Sequence, residues 1–273
     1  MSAVIKGTYT IEKHYIGENR VPTLWFYRKQ EKRKCAVISL HGWTGNKEGM
    51  LAHCLRMADA GFCSISVDAR MHGDRLDPEF WGKFAENFPR TFFTIVVETA
   101  KDVKQIIDFL ETRDDIDSDR IGMMGVSMGG FITLVATFLE KRIKASASVI
   151  GAANFPLFVE RMVSLKVLPF KEKPMCEPDE ETRKLYRDFD PLNNLEKFPP
   201  TALLLTGGSL DMFIPKEGIQ GLYDALKPYY QNCKDRLKLR FFNIGHEYPP
   251  EMETEVINWF KKHLRKNKGN KEV

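Results

Sequence analysis

From residue 36 onward the chain alternates short apolar runs with longer segments of helical period, and this alternation restricts the available folds more than any other feature. The runs at 36–40, 63–67, 121–126 and 145–150 have the character of strands buried on both faces, and helical segments at 47–60, 91–111 and 128–140 separate or follow them. The pattern resumes with a strand at 202–206, a helix at 216–230, a strand at 237–243 and a helix at 251–264. Such an order implies parallel pairing through right-handed crossovers. Ahead of it, β-rich segments at 9–16 and 23–27 flank the turn-like Gly17-Glu18-Asn19-Arg20 and predict an antiparallel hairpin. The expected architecture is α/β: a mostly parallel, twisted sheet of about eight strands with that hairpin at its start and helices on both faces.

A single domain over 1–273 is expected, since α/β folds reach this length as one unit and 43% hydrophobic with 29% charged residues suits a globule with a large core. Two stretches break the alternation. Residues 71–90 carry Phe80, Trp81, Phe84 and Phe88 and are read as part of a pocket wall. Residues 152–197, with Pro156, Pro169, Pro174, Pro178 and Pro191, are too irregular for one crossover helix and are read as a small helical cap inserted after the sixth strand.

The five cysteines are scattered, with no Cys-x-x-Cys pair, and read as buried or inert thiols; no metal is implied. The formal charge of +4 owes much to residues 261–271, read as a solvated end, and no basic run is interleaved with base-stacking aromatics, so nucleic acid is not an expected partner. No stretch approaches the length of a membrane span, and the opening residues lack an apolar run, so a cytoplasmic protein with no membrane partner is expected. Oligomeric state is not written in the sequence, and a homodimer stays open.

Gly125-Val126-Ser127-Met128-Gly129-Gly130 joins an apolar strand to a helix. At that junction a serine needs small neighbours, which Gly125 and Gly129 supply, and its hydroxyl is lifted clear of the sheet beside a helix N-terminus. Serine is a poor nucleophile at neutral pH unless a base takes its proton and a third group fixes the base's tautomer. Asp211 follows strand 202–206, and His246 follows strand 237–243, so both fall in loops past strand ends, where ligand sites of open parallel sheets form. The order Ser127, Asp211, His246 is what this fold produces. An isolated loop aspartate is usually a turn or cap residue, and a lone histidine is usually structural. Asp188 and Asp190 compete with Asp211 but lie in the cap; His41 and His72 compete with His246 but precede the serine.

Attack on an ester carbonyl puts negative charge on its oxygen, which preorganised N–H groups stabilise. The N–H of Met128 and that of Trp43, in the glycine loop His41-Gly42-Trp43-Thr44-Gly45, are the expected donors. The substrate pocket is expected to include Trp43, Trp81 and Phe84, with Phe88 and the cap's Phe155, Phe158, Leu165 and Leu168 as further candidates, although most such residues are core in an average protein.

The glycine loop, Asp68-Ala69-Arg70-Met71-His72-Gly73-Asp74, the serine motif, Gly208-x-x-Asp211 with Ile214-Pro215, and Gly245-His246, in this order, resemble the bacterial esterases of the α/β-hydrolase superfamily. The dienelactone-hydrolase, prolyl-oligopeptidase-like and cinnamoyl-esterase branches are the nearest, and the resemblance runs from about Ala36 to Leu264. It implies the α/β-hydrolase fold and carboxylester hydrolysis through an acyl-enzyme, with Ser127, Asp211 and His246 as triad, Trp43 and Met128 as oxyanion donors, and no cofactor. Dienelactone hydrolases proper typically use cysteine, so Ser127 favours the esterase side. In the 68–74 turn, Asp68 and His72 are expected to fix the loop by hydrogen bonds and not to perform chemistry. The substrate is expected to be a small or aromatic acyl ester. A related serine acyl hydrolase (peptidase, thioesterase or acyltransferase) is the alternative, and a non-catalytic binding protein of the same fold is a third reading.

Overall fold

The computed structural model describes residues 8–29, 33–165 and 177–265. Eight strands form one sheet: β1 (Thr10–Ile16), β2 (Val21–Tyr27), β3 (Lys34–Leu40), β4 (Cys63–Val67), β5 (Ile116–Val126), β6 (Ile143–Val149), β7 (Ala202–Gly208) and β8 (Leu237–Phe242). Their order across the sheet is β1-β2-β4-β3-β5-β6-β7-β8, with β1 antiparallel to β2, β2 antiparallel to β4, and every other pair parallel. This is the α/β-hydrolase fold, and the N-terminal hairpin forms as the sequence predicts.

The helices are α1 (Leu51–Asp59), α2 (Phe80–Glu86), α3 (Phe88–Glu111), α4 (Met128–Leu139), α5 (Phe155–Leu165), α6 (Glu180–Phe189), α7 (Lys216–Leu226) and α8 (Pro250–Leu264). Side-chain alternation along the central strands feeds two cores. Met123, Leu203 and Leu205 join Phe93, Phe131, Ile107 and Leu222 on one face, with α3, α4 and α7, while Met124, Ala147 and Leu204 join Met57, Val256 and Phe260 on the other, with α1 and α8.

Several bounds move for local reasons. The helix expected at 91–111 starts at Phe88, because Asn87 Oδ1 accepts the Arg90 N–H at 2.9 Å and Pro89 occupies the first turn, where no N–H is needed. The segment expected as helix 47–60 opens as a 3₁₀ turn, Lys47–Met50, capped by Asn46. The helix expected to reach residue 230 ends at Leu226, and a 3₁₀ segment, Lys227–Arg236, with Pro228 in its first turn, completes it.

Between β6 and β7 lie α5 and α6. Phe155 stacks on Phe93 of α3 at 4.1 Å, Tyr186 meets the same ring edge-on at 5.3 Å, and Asp190 accepts the backbone N–H groups of Asn154 and Phe155. Helices α5 and α6 are thereby fastened to the α3 face of the sheet. Leu168, Pro169, Pro174 and Cys176, to which the sequence assigned roles, lie outside the described residues. Cys35, Cys54 and Cys63 are buried free thiols, and Cys233 is partly buried. Among the described residues no helix is long and apolar enough to cross a membrane.

Candidate active site

Ser127 sits between β5 and α4 with φ +56° and ψ −116°. A non-glycine residue there is strained by roughly 1–3 kcal/mol. The turn is held from both sides: Ser127 N–H donates to the Val149 carbonyl at 2.8 Å, and the Ser127 carbonyl accepts from Gly130 N–H at 2.7 Å. The flanking glycines are a steric requirement. A Cβ on Gly125 would fall 2.2 Å from the Gly129 carbonyl oxygen, and one on Gly129 would fall 2.5 Å from that of Leu40.

Asp211 lies three residues past β7, in a loop tied to the end of β8 by Ser209 N–H to the Phe242 carbonyl (2.7 Å) and Leu210 N–H to the Ile244 carbonyl (3.0 Å). Its Oδ1 accepts the N–H groups of Phe213 and Ile214 at 2.9 and 3.0 Å. Its Oδ2 is 2.7 Å from Nδ1 of His246, and the carboxylate is almost fully buried. With Nδ1–H donating to Asp211, Nε2 of His246 is left as an acceptor, 3.0 Å from Ser127 Oγ. The structure thus brings Ser127, His246 and Asp211 into one hydrogen-bonded line, in a geometry able to pass a proton from hydroxyl to imidazole.

The competing residues are elsewhere engaged. Asp190 caps a turn by accepting from Asn154, Phe155 and Leu192, and Asp188 lies on α6. His41 is buried, its Nε2 accepts Ala69 N–H at 3.1 Å, and burial pushes its pKa down to about 4. His72 is also buried and held below the usual histidine range by burial.

The 41–45 loop runs beside the serine: a Cβ on Gly42 would lie 3.5 Å from Ser127 Cβ. It is a tight turn, with Gly45 N–H donating to the Gly42 carbonyl at 3.0 Å and Thr44 at φ +59°. Among the described residues, neither the Trp43 N–H nor the Met128 N–H is engaged in a hydrogen bond. Met128 is the first residue of α4, where backbone N–H groups have no partner within the helix.

A cavity of about 500 Å³ opens on Ser127 and His246. Trp43, Phe84, Phe88, Phe92, Phe131, Phe158, Met162, Phe213, Ile214, Ile150, Val126 and Tyr248 line it together with Gly42. Among the described residues, no carboxylate, lysine or arginine is in the lining. Of the residues expected in the pocket, Trp43, Phe84, Phe88 and Phe158 are in the lining. Trp81 is not: it is 59% exposed and packs edge-on against Phe80 and Phe84. Phe80 and Phe84, four apart on α2, share the inward face, and one residue further round the helix turns Trp81 to solvent. Phe155 is enclosed in the core, and Leu165 is absent from the lining. The sequence reading missed Phe92, Phe131, Met162, Phe213 and Tyr248. Phe92 was detectable as the residue four after Phe88, and Phe131 as four after Ser127.

Two family models match this chain: the prolyl oligopeptidase family over residues 95–267 and acetyl xylan esterase over residues 3–167. YitV of Bacillus subtilis (strain 168), whose name proposes an esterase, is 27% identical over 252 residues, covering 89% of this chain and 96% of that protein. Esterase YjfP of Escherichia coli (strain K12) is 24% identical over 249 residues, with the same coverage of both chains. Among solved structures, TT1662 from Thermus thermophilus superposes with a TM-score of 0.77 at 21% identity, covering 96% of this chain and all of that one, and so shares the fold. Each family model spans more than half of the sequence, and the protein belongs to the prolyl oligopeptidase/acetyl xylan esterase group of α/β-hydrolase serine hydrolases.

Proposed function

We propose that the protein is a carboxylesterase that hydrolyses small or aromatic acyl esters through an acyl-enzyme on Ser127. In this reading Ser127 Oγ attacks the ester carbonyl as its proton passes to His246 Nε2, and Asp211 holds the imidazole in the required tautomer and stabilises its charged form. The N–H groups of Trp43 and Met128 receive the developing oxyanion. His246 returns the proton to the departing alcohol, and water then repeats the sequence on the acyl-enzyme, releasing the acid. Helix α5 serves as part of a cap, with Phe158 and Met162 closing one side of the acyl site.

The observation that carries the reading is the meeting of the Ser127–His246–Asp211 line with a cavity lined almost entirely by apolar side chains. Such a cavity favours an apolar acyl group, and among the described residues that line it none is a carboxylate able to receive a substrate's ammonium, which weighs against a peptidase that reads a free amino terminus. The esterase names of the two bacterial relatives point the same way. The test is hydrolysis of p-nitrophenyl acetate and butyrate together with labelling by a fluorophosphonate. Both are expected, with labelling confined to Ser127, and Ser127→Ala should lower kcat by roughly 10⁴-fold or more. Failure of both reactions in the folded wild type, or full activity in Ser127→Ala, refutes the proposal, and a preference for aminoacyl amides or acyl thioesters over oxygen esters would reassign the substrate.

A further inference from the structure

The turn after β4 is built in an unusual way. Met71 and Gly73 both have positive φ, at +58° and +56°, and between them they swing His72 inward, where it is 3% exposed. Its Nδ1 lies 2.8 Å from the Arg70 carbonyl, to which only an Nδ1–H can bond. On the other side of the ring, Nε2 faces the backbone N–H of Thr44 at 3.2 Å and can accept it only if unprotonated, so the two bonds together define the neutral Nδ1–H tautomer. The same ring lies edge-on to the Trp43 indole, with centroids 5.3 Å apart, and 5.4 Å from Phe80.

Thr44 directly follows Trp43 and is itself held at positive φ, a conformation a β-branched residue does not keep without outside support. The peptide that must be held is thus gripped by His72 at its next N–H and through its indole. The anchor behind His72 is rigid: Arg70 N–H donates to Thr99 Oγ1 at 2.9 Å, and its guanidinium makes two bonds, of 2.8 and 2.7 Å, to the buried Asp102 of α3. Further along the loop, buried Asp68 accepts both Lys47 N–H and Lys47 Nζ at 2.7 Å.

We propose that His72 is a positioning residue for the reaction: as the neutral Nδ1–H tautomer it accepts Thr44 N–H and thereby keeps the Trp43 N–H aimed at the oxyanion. The proposal rests on the esterase reading above, which places Trp43 in the oxyanion hole. His72 touches neither substrate nor the reacting atoms and acts only through the loop.

The experiment compares His72→Phe, which keeps the ring packing without the acceptor, and His72→Gln, whose amide oxygen can take the place of Nε2. With p-nitrophenyl butyrate, His72→Phe should lose roughly 10- to 100-fold in kcat with KM within about twofold, and should bind a trifluoromethyl ketone, whose adduct carries the oxyanion, weaker by a similar factor. His72→Gln should recover most of both. A His72→Phe enzyme with wild-type kcat, a loss confined to KM, or equal losses in the two variants overturns the proposal. Two measurements need no substrate and no stable variant: wild-type ¹⁵N spectra should show His72 Nε2 unprotonated, and the Thr44 amide should be protected from exchange. A protonated Nε2 or an unprotected Thr44 amide overturns it. If the wild type instead hydrolyses no ester and Ser127 is not labelled, the esterase reading has failed, and the spectra still decide whether His72 holds the loop.

Discussion

The aromatic cavity should impose a steep dependence on acyl length, and Phe158 should set where that dependence ends. Phe158 is 4% exposed, and its ring packs within 4.9–6.2 Å of the rings of Phe131, Phe92, Phe88 and Phe93 while its remaining side faces the cavity. Each methylene transferred from water to an apolar site contributes about 0.8 kcal/mol, or nearly fourfold in kcat/KM if the contact is kept in the transition state. From p-nitrophenyl acetate to the hexanoate, four methylenes longer, the gain in kcat/KM is therefore up to roughly 250-fold before the walls interfere. Replacing Phe158 with alanine leaves room for roughly three or four further methylenes at close packing and should move the optimum by that much. The variant should lose about 2–3 kcal/mol of stability, less than a fully enclosed phenylalanine, because one side of the ring already borders open space. The assay is kcat/KM along a p-nitrophenyl ester series from two to twelve carbons at fixed alcohol, with denaturant melts to confirm folding. A wild-type profile that falls from acetate to butyrate, or a folded Phe158→Ala enzyme with its optimum unmoved, would show that the acyl chain does not enter this cavity.

Three further outcomes test the supports of the site. Gly129→Ala puts a methyl 2.5 Å from the Leu40 carbonyl oxygen and 2.8 Å from that of His41, so backbone must shift; a loss of roughly 1–3 kcal/mol in urea melts and a collapse of kcat are expected, and an active variant would show the elbow to be more compliant than its geometry. Lys47→Met leaves the wholly buried Asp68 with its two backbone donors, from Lys47 and Asp74, and no cation; about 3 kcal/mol should be lost, at the low end for a broken buried pair, with part regained in Lys47→Met/Asp68→Asn, which removes the charge and keeps an acceptor oxygen. Asp74 is held at about 2 by its bonds to Lys13 and Lys47, below the ordinary carboxylate value. Because the folded pKa is the lower one, its contribution is complete above about pH 4–5 and is lost as pH falls through about 2, so the stability gap between wild type and Asp74→Asn should close over that window and stay constant above it.

The fold was legible because its signal is carried by runs of residues. Strands such as Ala202–Gly208 are buried along their whole length and carry small or apolar residues at every position but Thr206, and this excludes an exposed sheet face without any knowledge of neighbours. Element ends were less legible, since they depend on single caps. Asn87 followed by Pro89 is a helix start written in the sequence, yet a reading by apolar period alone places the start at Thr91 and leaves Phe88 in a loop. That displacement has a functional consequence. With Phe88 on α3, Phe92 follows one turn later on the same face and joins it in the cavity wall, whereas a loop at Phe88 gives no reason to look at Phe92 at all.

Trp81 and His72 mark the two limits of reading a site from residue types. Trp81 has the composition of a pocket residue, but the direction of a helical side chain is fixed by phase, and Phe80 with Phe84 had already claimed the inward side of a two-turn helix. His72 lies on a loop whose meaning is set by a second loop: its Nε2 acquires a role only because β3 and β4 are parallel neighbours, which carries residues 41–47 and 68–75 to the same edge of the sheet. Residues that do chemistry at a strand end can be found one at a time, because each strand delivers its own loop to that edge. A residue that positions another across two loops is defined by the pair, and only the register between adjacent strands, here Leu40 beside Val67, brings the pair together.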